Sequence, residues 1–335
     1  MLRIAIVASL VVVALGVTAV GASAHTSYTA WVVNSGDDTV TPILTGTNTV
    51  GAPISLAGSS TLDPGPIAVT PSGRTAYVAT CCGFGSEGLI PITLGTRTVG
   101  SAINVFSGNT GVAVAPNGAT AYVSWDQFGF LTPVSTATNA PGSPIQAGCG
   151  AGAVAITPNG TWAYVANGYS SCNLGLGDDT VTPVNLATNT PFPPITVGNG
   201  PSAIAINPLG TMAYVANAAD GTVTPISLAT NTPLPPISVG HLPEAIAITS
   251  DGRFAYVANY GDDTVTRIRL LTDTVVGTIP VGPAPSGIAI SPDQTVYVTN
   301  SGSNTVTTIP VATNVPGTLL TVGNGPVAIA IARTP

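Results

Sequence analysis

Short runs of apolar residues recur along the chain at strand length, each bounded by Gly, Pro, Asn or Thr. They are clearest around Tyr214, where four such runs predict four β-strands, A to D, at residues 203–206, 213–217, 222–226 and 236–240. Asn207-Pro208-Leu209-Gly210 supplies the first turn, and Asn231 suits a left-handed position in the third. Strand A is apolar or small throughout, the pattern of a strand covered on both faces. Strand C alternates, with Val223 and Ile226 set among Thr and Pro. Its proline, Pro225, recurs as Pro42, Pro91, Pro133 and Pro183 in the other units. A proline inside a paired strand requires either a bulge or an N–H position facing no partner, and both remain open at this level.

The unit repeats. The aromatic residue of strand B is Trp31, Tyr77, Tyr122, Tyr164, Tyr214, Tyr256 and Tyr297, at separations of 41 to 50 residues. That period is the length of one four-stranded blade, so seven units predict an all-β fold: a seven-bladed β-propeller of antiparallel blades. Strand A begins near Ile67, Val112, Val154, Ile204, Ile246, Ile288 and Ile329, yet the first recognisable strand is a B strand at Trp31 and the last an A strand at Ile329. The two chain ends are therefore expected to share a blade, pairing the C-terminal strand with the N-terminal ones and closing the ring.

Tyr164-Val165-Ala166-Asn167, Tyr214-Val215-Ala216-Asn217, Tyr256-Val257-Ala258-Asn259 and Tyr297-Val298-Thr299-Asn300 carry a resemblance to the YVTN-repeat β-propeller family of exported and surface proteins. Thr80 and Trp125 stand where that pattern has Asn. The resemblance implies the scaffold, shared by surface-layer proteins, lactonase-like enzymes and propeller subunits of oxidoreductases, and leaves the activity open.

Charge narrows the choice. Seven cations, all arginine, face fourteen acidic residues for a net charge of −7, and they are scattered singly. No basic surface for nucleic acid is expected. Charged residues are only 6% of a chain that is 44% hydrophobic and rich in Gly and Pro, a balance opposite to that of disorder. At the N-terminus, Arg3, an apolar run over residues 4–20 and Ala22/Ala24 read as a signal peptide over residues 1–24, with the propeller over 25–335. The expectation is an exported protein, secreted or held at the cell surface, monomeric, with no membrane span after cleavage; an uncleaved anchor is the alternative.

In a four-stranded blade the D-to-A and B-to-C connections lie on one face of the disc. That face receives the acidic turns Asp37-Asp38, Asp178-Asp179, Asp220 and Asp262-Asp263, an insertion over residues 168–177, and all four cysteines. The aspartates read as structural turns that bond their own backbone, with Ca2+ ligation as the alternative binding role. No metal-binding motif or cofactor is expected otherwise. In an exported chain the cysteines suggest disulfides: Cys149 with Cys172, and a vicinal Cys81–Cys82 bridge as an alternative to free thiols.

The equivalent position in each loop leading into strand A should surround the channel mouth. Those residues are Gly65, Thr110, Gly152, Ser202, Glu244, Ser286 and Val327, of which only Glu244 titrates near neutrality. His241 and Glu244, with Asp63 nearby, are the catalytic candidates. So sparse a set favours a non-catalytic binding or scaffold protein for an unknown protein or cell-wall polysaccharide ligand. The alternatives are a lactonase-like or lyase-like metal-assisted enzyme at the channel mouth, and a structural surface-layer protein.

Overall fold

A computed structural model describes residues 27–56, 62–80, 88–105, 109–168 and 178–334. The signal segment, most of the 168–177 insertion and Cys81, Cys82 and Cys172 lie outside those residues. The chain forms seven antiparallel sheets arranged as blades. Blade 5 is typical: Pro201–Ile206, Met212–Asn217 and Thr222–Ser227 pair in order, and a short outer strand completes it. The closing blade has the order expected from the chain ends. Pro326–Arg333 pairs with Tyr28–Asn34, placing Trp31 opposite Ala330.

The core lies between blades. Seven apolar clusters occupy the seven interfaces, and the one containing Ala30, Val32, Ile43, Tyr297 and Val306 joins the last blade to the closing one. The strand B tyrosines are its largest fully buried side chains, including Tyr77, Tyr164, Tyr214, Tyr256 and Tyr297. Each buries surface worth about 1.5–3 kcal/mol and needs a partner for its hydroxyl. The next blade supplies one: Tyr164 donates to Asn231 Oδ1 at 2.9 Å, Tyr256 to Asn314 at 2.6 Å and Tyr214 to Asp273 at 3.0 Å. Those acceptors all hold positive φ in the C-to-D turn, so one short amide or acid side chain both tolerates the turn and latches the neighbouring blade. Trp31 has no hydroxyl, and the corresponding turn residue is Arg97 rather than Asn.

The Asn that ends strand B has its own purpose. Asn217 donates to Thr222 and Thr224 of strand C at 3.0 and 2.8 Å, and Asn34, Asn167, Asn259 and Asn300 repeat the arrangement. Its amide lies against a glycine of the D-to-A loop. A Cβ on Gly198 would fall 2.7 Å from the Asn217 amide, which fixes Gly at that point. Where Thr80 replaces Asn, its Oγ1 bonds Gly88 O at 3.1 Å instead.

The strand C prolines cause no bulge between strands B and C, since Pro225 pairs in unbroken register with Tyr214. The missing donor faces strand D. Leu234 N donates to Pro225 O at 2.8 Å, but proline cannot return the bond, and strand D is split there into Thr232–Pro233 and Ile237–Ser238. In blade 6, where Arg267 takes the proline's place, strand D runs over Thr274–Pro280 with one register shift, but in the last blade Thr308 stands there and strand D is still only Leu320–Thr321, so the proline is not the sole cause. The single D strand expected over 236–240 is therefore two short ones.

Candidate active site

Strand A carries a register shift near its start in all seven blades. In blade 6 Pro243 opposes Asn259 and Ala245 opposes Ala258, leaving Glu244 as the extra residue. A bulge re-aims the side chain it carries. Here the extra residues are Thr110, Ser202, Glu244, Ser286 and Val327, and all five line a cavity of about 590 Å³ on the ring axis. That volume falls within the range of small-molecule sites. Gly65 also lines it, while Gly152 does not and Ala153 takes that blade's place. Apolar Ile67, Val112, Val154, Ala203, Ile288 and Ile329 form much of the wall.

Three of the bulge hydroxyls are committed to the scaffold. Thr110 donates to Ala151 O at 2.6 Å, Ser202 to Pro243 O at 2.6 Å and Ser286 to Pro326 O at 2.8 Å, each reaching the next strand A. Glu244 sits at the same point of the repeat with a carboxylate instead. Among the described residues nothing hydrogen-bonds to it, and burial raises its pKa above the ordinary carboxylate value. It is the one acidic side chain among the described residues of the lining.

Tyr260 also lines the cavity and was not among the sequence candidates. Its backbone N–H donates to Leu242 O at 2.9 Å, which ties it to the loop entering the Glu244 strand, and its hydroxyl has no partner among the described residues. The signal was present in the repeat. At the position just after strand B the other described blades have Ser35, Asp126, Gly168, Ala218 and Ser301, so Tyr260 is the aromatic exception, in the same blade as Glu244.

The other candidates lie elsewhere. His241 is 86% exposed, and its Nδ1 sits 2.7 Å from Asp262 Oδ1. It does not join Glu244 in the cavity lining. Asp63 is exposed at a positive-φ position before strand A, and it too is absent from the lining. The turn aspartates accept backbone N–H groups. Asp37, Asp178, Asp220 and Asp262 hold the D-to-A loops of their own blades through Asn324, Cys149, Asn199 and His241 at 2.6–2.9 Å. Asp38, Asp179 and Asp263 reach the following blade at Leu62, Gly200 and Ala284. Its bonds from His241, the backbone one foremost, hold Asp262 below the usual carboxylate range. No group of three or more His, Cys, Asp or Glu converges among the described residues. That donor set does not fit the divalent ion of the metal-assisted alternative. Cys149 is disulfide-bonded, and its partner lies outside the described residues.

Residues 172–326 match the family model described as Lactonase, 7-bladed beta-propeller. No curated protein matches the chain. Among solved structures, the periplasmic gluconolactonase of Pseudomonas aeruginosa is 17% identical, with 92% of this chain and 100% of that one covered at a TM-score of 0.71. A Bacteroides uniformis protein assigned as a 6-phosphogluconolactonase is 14% identical, covering 91% and 99% at 0.70. Kuenenia stuttgartiensis hydrazine synthase is 20% identical, covering 85% and 92% at 0.72. The lactonase match overturns the expectation of a non-catalytic binding scaffold, which rested on the scarcity of ionisable groups. One carboxylate aimed by a bulge into a ligand-sized cavity is a sparse site, but it is a chemical one. The chain is a seven-bladed β-propeller similar, over residues 172–326, to the lactonase propellers.

Proposed function

We propose that the chain hydrolyses lactones at the mouth of its axial cavity, with Glu244 as general base. The observation that carries this reading is the Glu244 carboxylate itself, unbonded among the described residues, partly desolvated and set on a bulge in the cavity wall. The lactonase family match supports the same class of reaction.

In the proposed step a water between Glu244 and the bound lactone gives a proton to the carboxylate as its oxygen bonds to the ester carbonyl carbon. The carbonyl oxygen takes the negative charge, and the free Tyr260 hydroxyl is the donor available to meet it. The carbonyl re-forms, the ring C–O bond breaks, and protonated Glu244 returns its proton to the leaving alkoxide. One lactone and one water become one hydroxy acid, and Glu244 is restored. A pKa raised by burial suits a group that must accept and then release a proton near neutral pH. The apolar wall accommodates the carbon ring. The apolar N-terminal run supports export as the setting.

The test is initial-rate acid release from glucono-1,5-lactone and simpler five- and six-membered lactones, against their spontaneous hydrolysis. The expected result is a rate proportional to protein concentration and saturable in at least one lactone. No acceleration across the series would overturn the proposal.

A further inference from the structure

The described cations gather on one face of the disc, where they share the turns with Asp251, Asp273 and Asp293. Of the described arginines, Arg74, Arg97, Arg253, Arg269 and Arg333 lie in an A-to-B or C-to-D turn or at a strand end beside one, and Arg267 lies within strand C. Arg267 stacks on Phe254, the first residue of its strand B beside the A-to-B turn, 3.6 Å from the ring centroid. The opposite face holds the seven turn aspartates with Asp63, Asp126 and Glu244, and no arginine or lysine among its described residues. The cavity opens among the strand A starts, on this acidic face, and its described lining contains no cation.

We infer that the site takes uncharged lactones and rejects those bearing a phosphate or a second carboxylate. This rests on the lactonase reading for the chemistry, though the charge selection stands on the lining and the face alone. An enzyme that binds a phosphorylated sugar needs an arginine, a lysine or a helix N-terminus at the phosphate, and the described lining offers none of these. Instead a phosphate dianion would approach ten acidic side chains and come to rest beside a desolvated carboxylate. The same field acts on the product. Hydrolysis turns a neutral ring into a carboxylate, so a ligand that is tolerated on entry is repelled once the reaction is complete.

Binding and turnover separate the two claims. Titration calorimetry would compare gluconolactam, a hydrolysis-resistant ring, with its 6-phosphate, at 10 mM and 500 mM salt. The expected result is binding of the neutral lactam at least about tenfold tighter at low salt, a difference of 1.4 kcal/mol, narrowing at high salt as screening shortens the field's reach. Val327→Arg, which adds a cation to the lining, is expected to narrow the gap from the other side. Equal or tighter binding of the phosphate by the unaltered protein would overturn the inference. Neutral lactam binding with no lactone turnover would sink the hydrolase reading while supporting the selectivity, and turnover of both lactone and phospholactone with equal kcat/KM would do the reverse.

Discussion

The hydroxyl of Tyr297 donates to Oδ1 of Asn48 at 2.7 Å, across 249 residues of sequence. It joins the last blade to the closing one by the same latch that joins Tyr164 to Asn231. Asn48 has a second duty, since its φ is 53°. Asn48→Gly keeps the turn and removes the nearer acceptor, leaving the Tyr297 hydroxyl only Thr45 O at 3.1 Å, and should cost about 1 kcal/mol. Asn48→Ala loses both and should cost about 1 kcal/mol more. Denaturant melts of the two variants check the order, and equal costs would mean that the turn strain is not borne by this side chain.

Ring closure depends on the final strand. Pro326–Arg333 pairs with Tyr28–Asn34 and also contributes Ile329 to the interface core. A chain ending at residue 325 leaves Trp31 and Val33 without their inner neighbour. It should lose cooperative unfolding and bind hydrophobic dyes, whereas a chain ending at residue 334 should melt like the full one.

Asp273 is the acidic member of a turn position filled by Asn in five blades. Burial raises its pKa, and the Tyr214 hydrogen bond offsets this in part. A carboxylate whose folded pKa is raised contributes its stability while protonated and loses it as pH climbs from the unfolded value through the folded one. Asp273→Asn keeps the Tyr214 acceptor and removes the charge. Its Tm should exceed the parent's by about 2 °C at pH 7 and merge with it near pH 3; a lower Tm at pH 7 would contradict this.

Tyr260→Phe removes the one free hydroxyl donor that the described cavity residues supply without touching the wall. If it meets the developing oxyanion, kcat should fall about 10²-fold with KM little changed. A rise in KM at constant kcat would make Tyr260 a ground-state contact instead.

Much of the fold is legible in the sequence because repetition makes each local ambiguity answerable seven times. The Tyr214 unit alone predicts its strand B, and the odd strand at Ile329 predicts the shared blade. The left-handed turn at Asn231 follows from its side chain. Two things escape. The split of strand D, opposite the partner strand's Pro225, is a cross-strand feature invisible within either segment. The bulge that turns Glu244 inward is a mismatch between two strands, so the composition of one strand cannot reveal it. Comparing equivalent positions nevertheless singles out Glu244, and the same comparison one strand later would have found Tyr260. The pairing of His241 with Glu244 fails for a physical reason. Neighbours three residues apart across a positive-φ residue, Leu242, leave in different directions, and Asp262 captures the imidazole.

The most direct test is the pH profile of lactone hydrolysis for the parent chain and Glu244→Gln. Because burial raises the Glu244 pKa, the parent's kcat/KM should rise with pH along a limb set by a group above the ordinary carboxylate range. Glu244→Gln, with its circular dichroism and melting cooperativity intact, should lose that limb and about 10²–10⁴ of the rate. A Glu244→Gln protein that retains the parent's rate within twofold and the same acid limb would contradict the assignment.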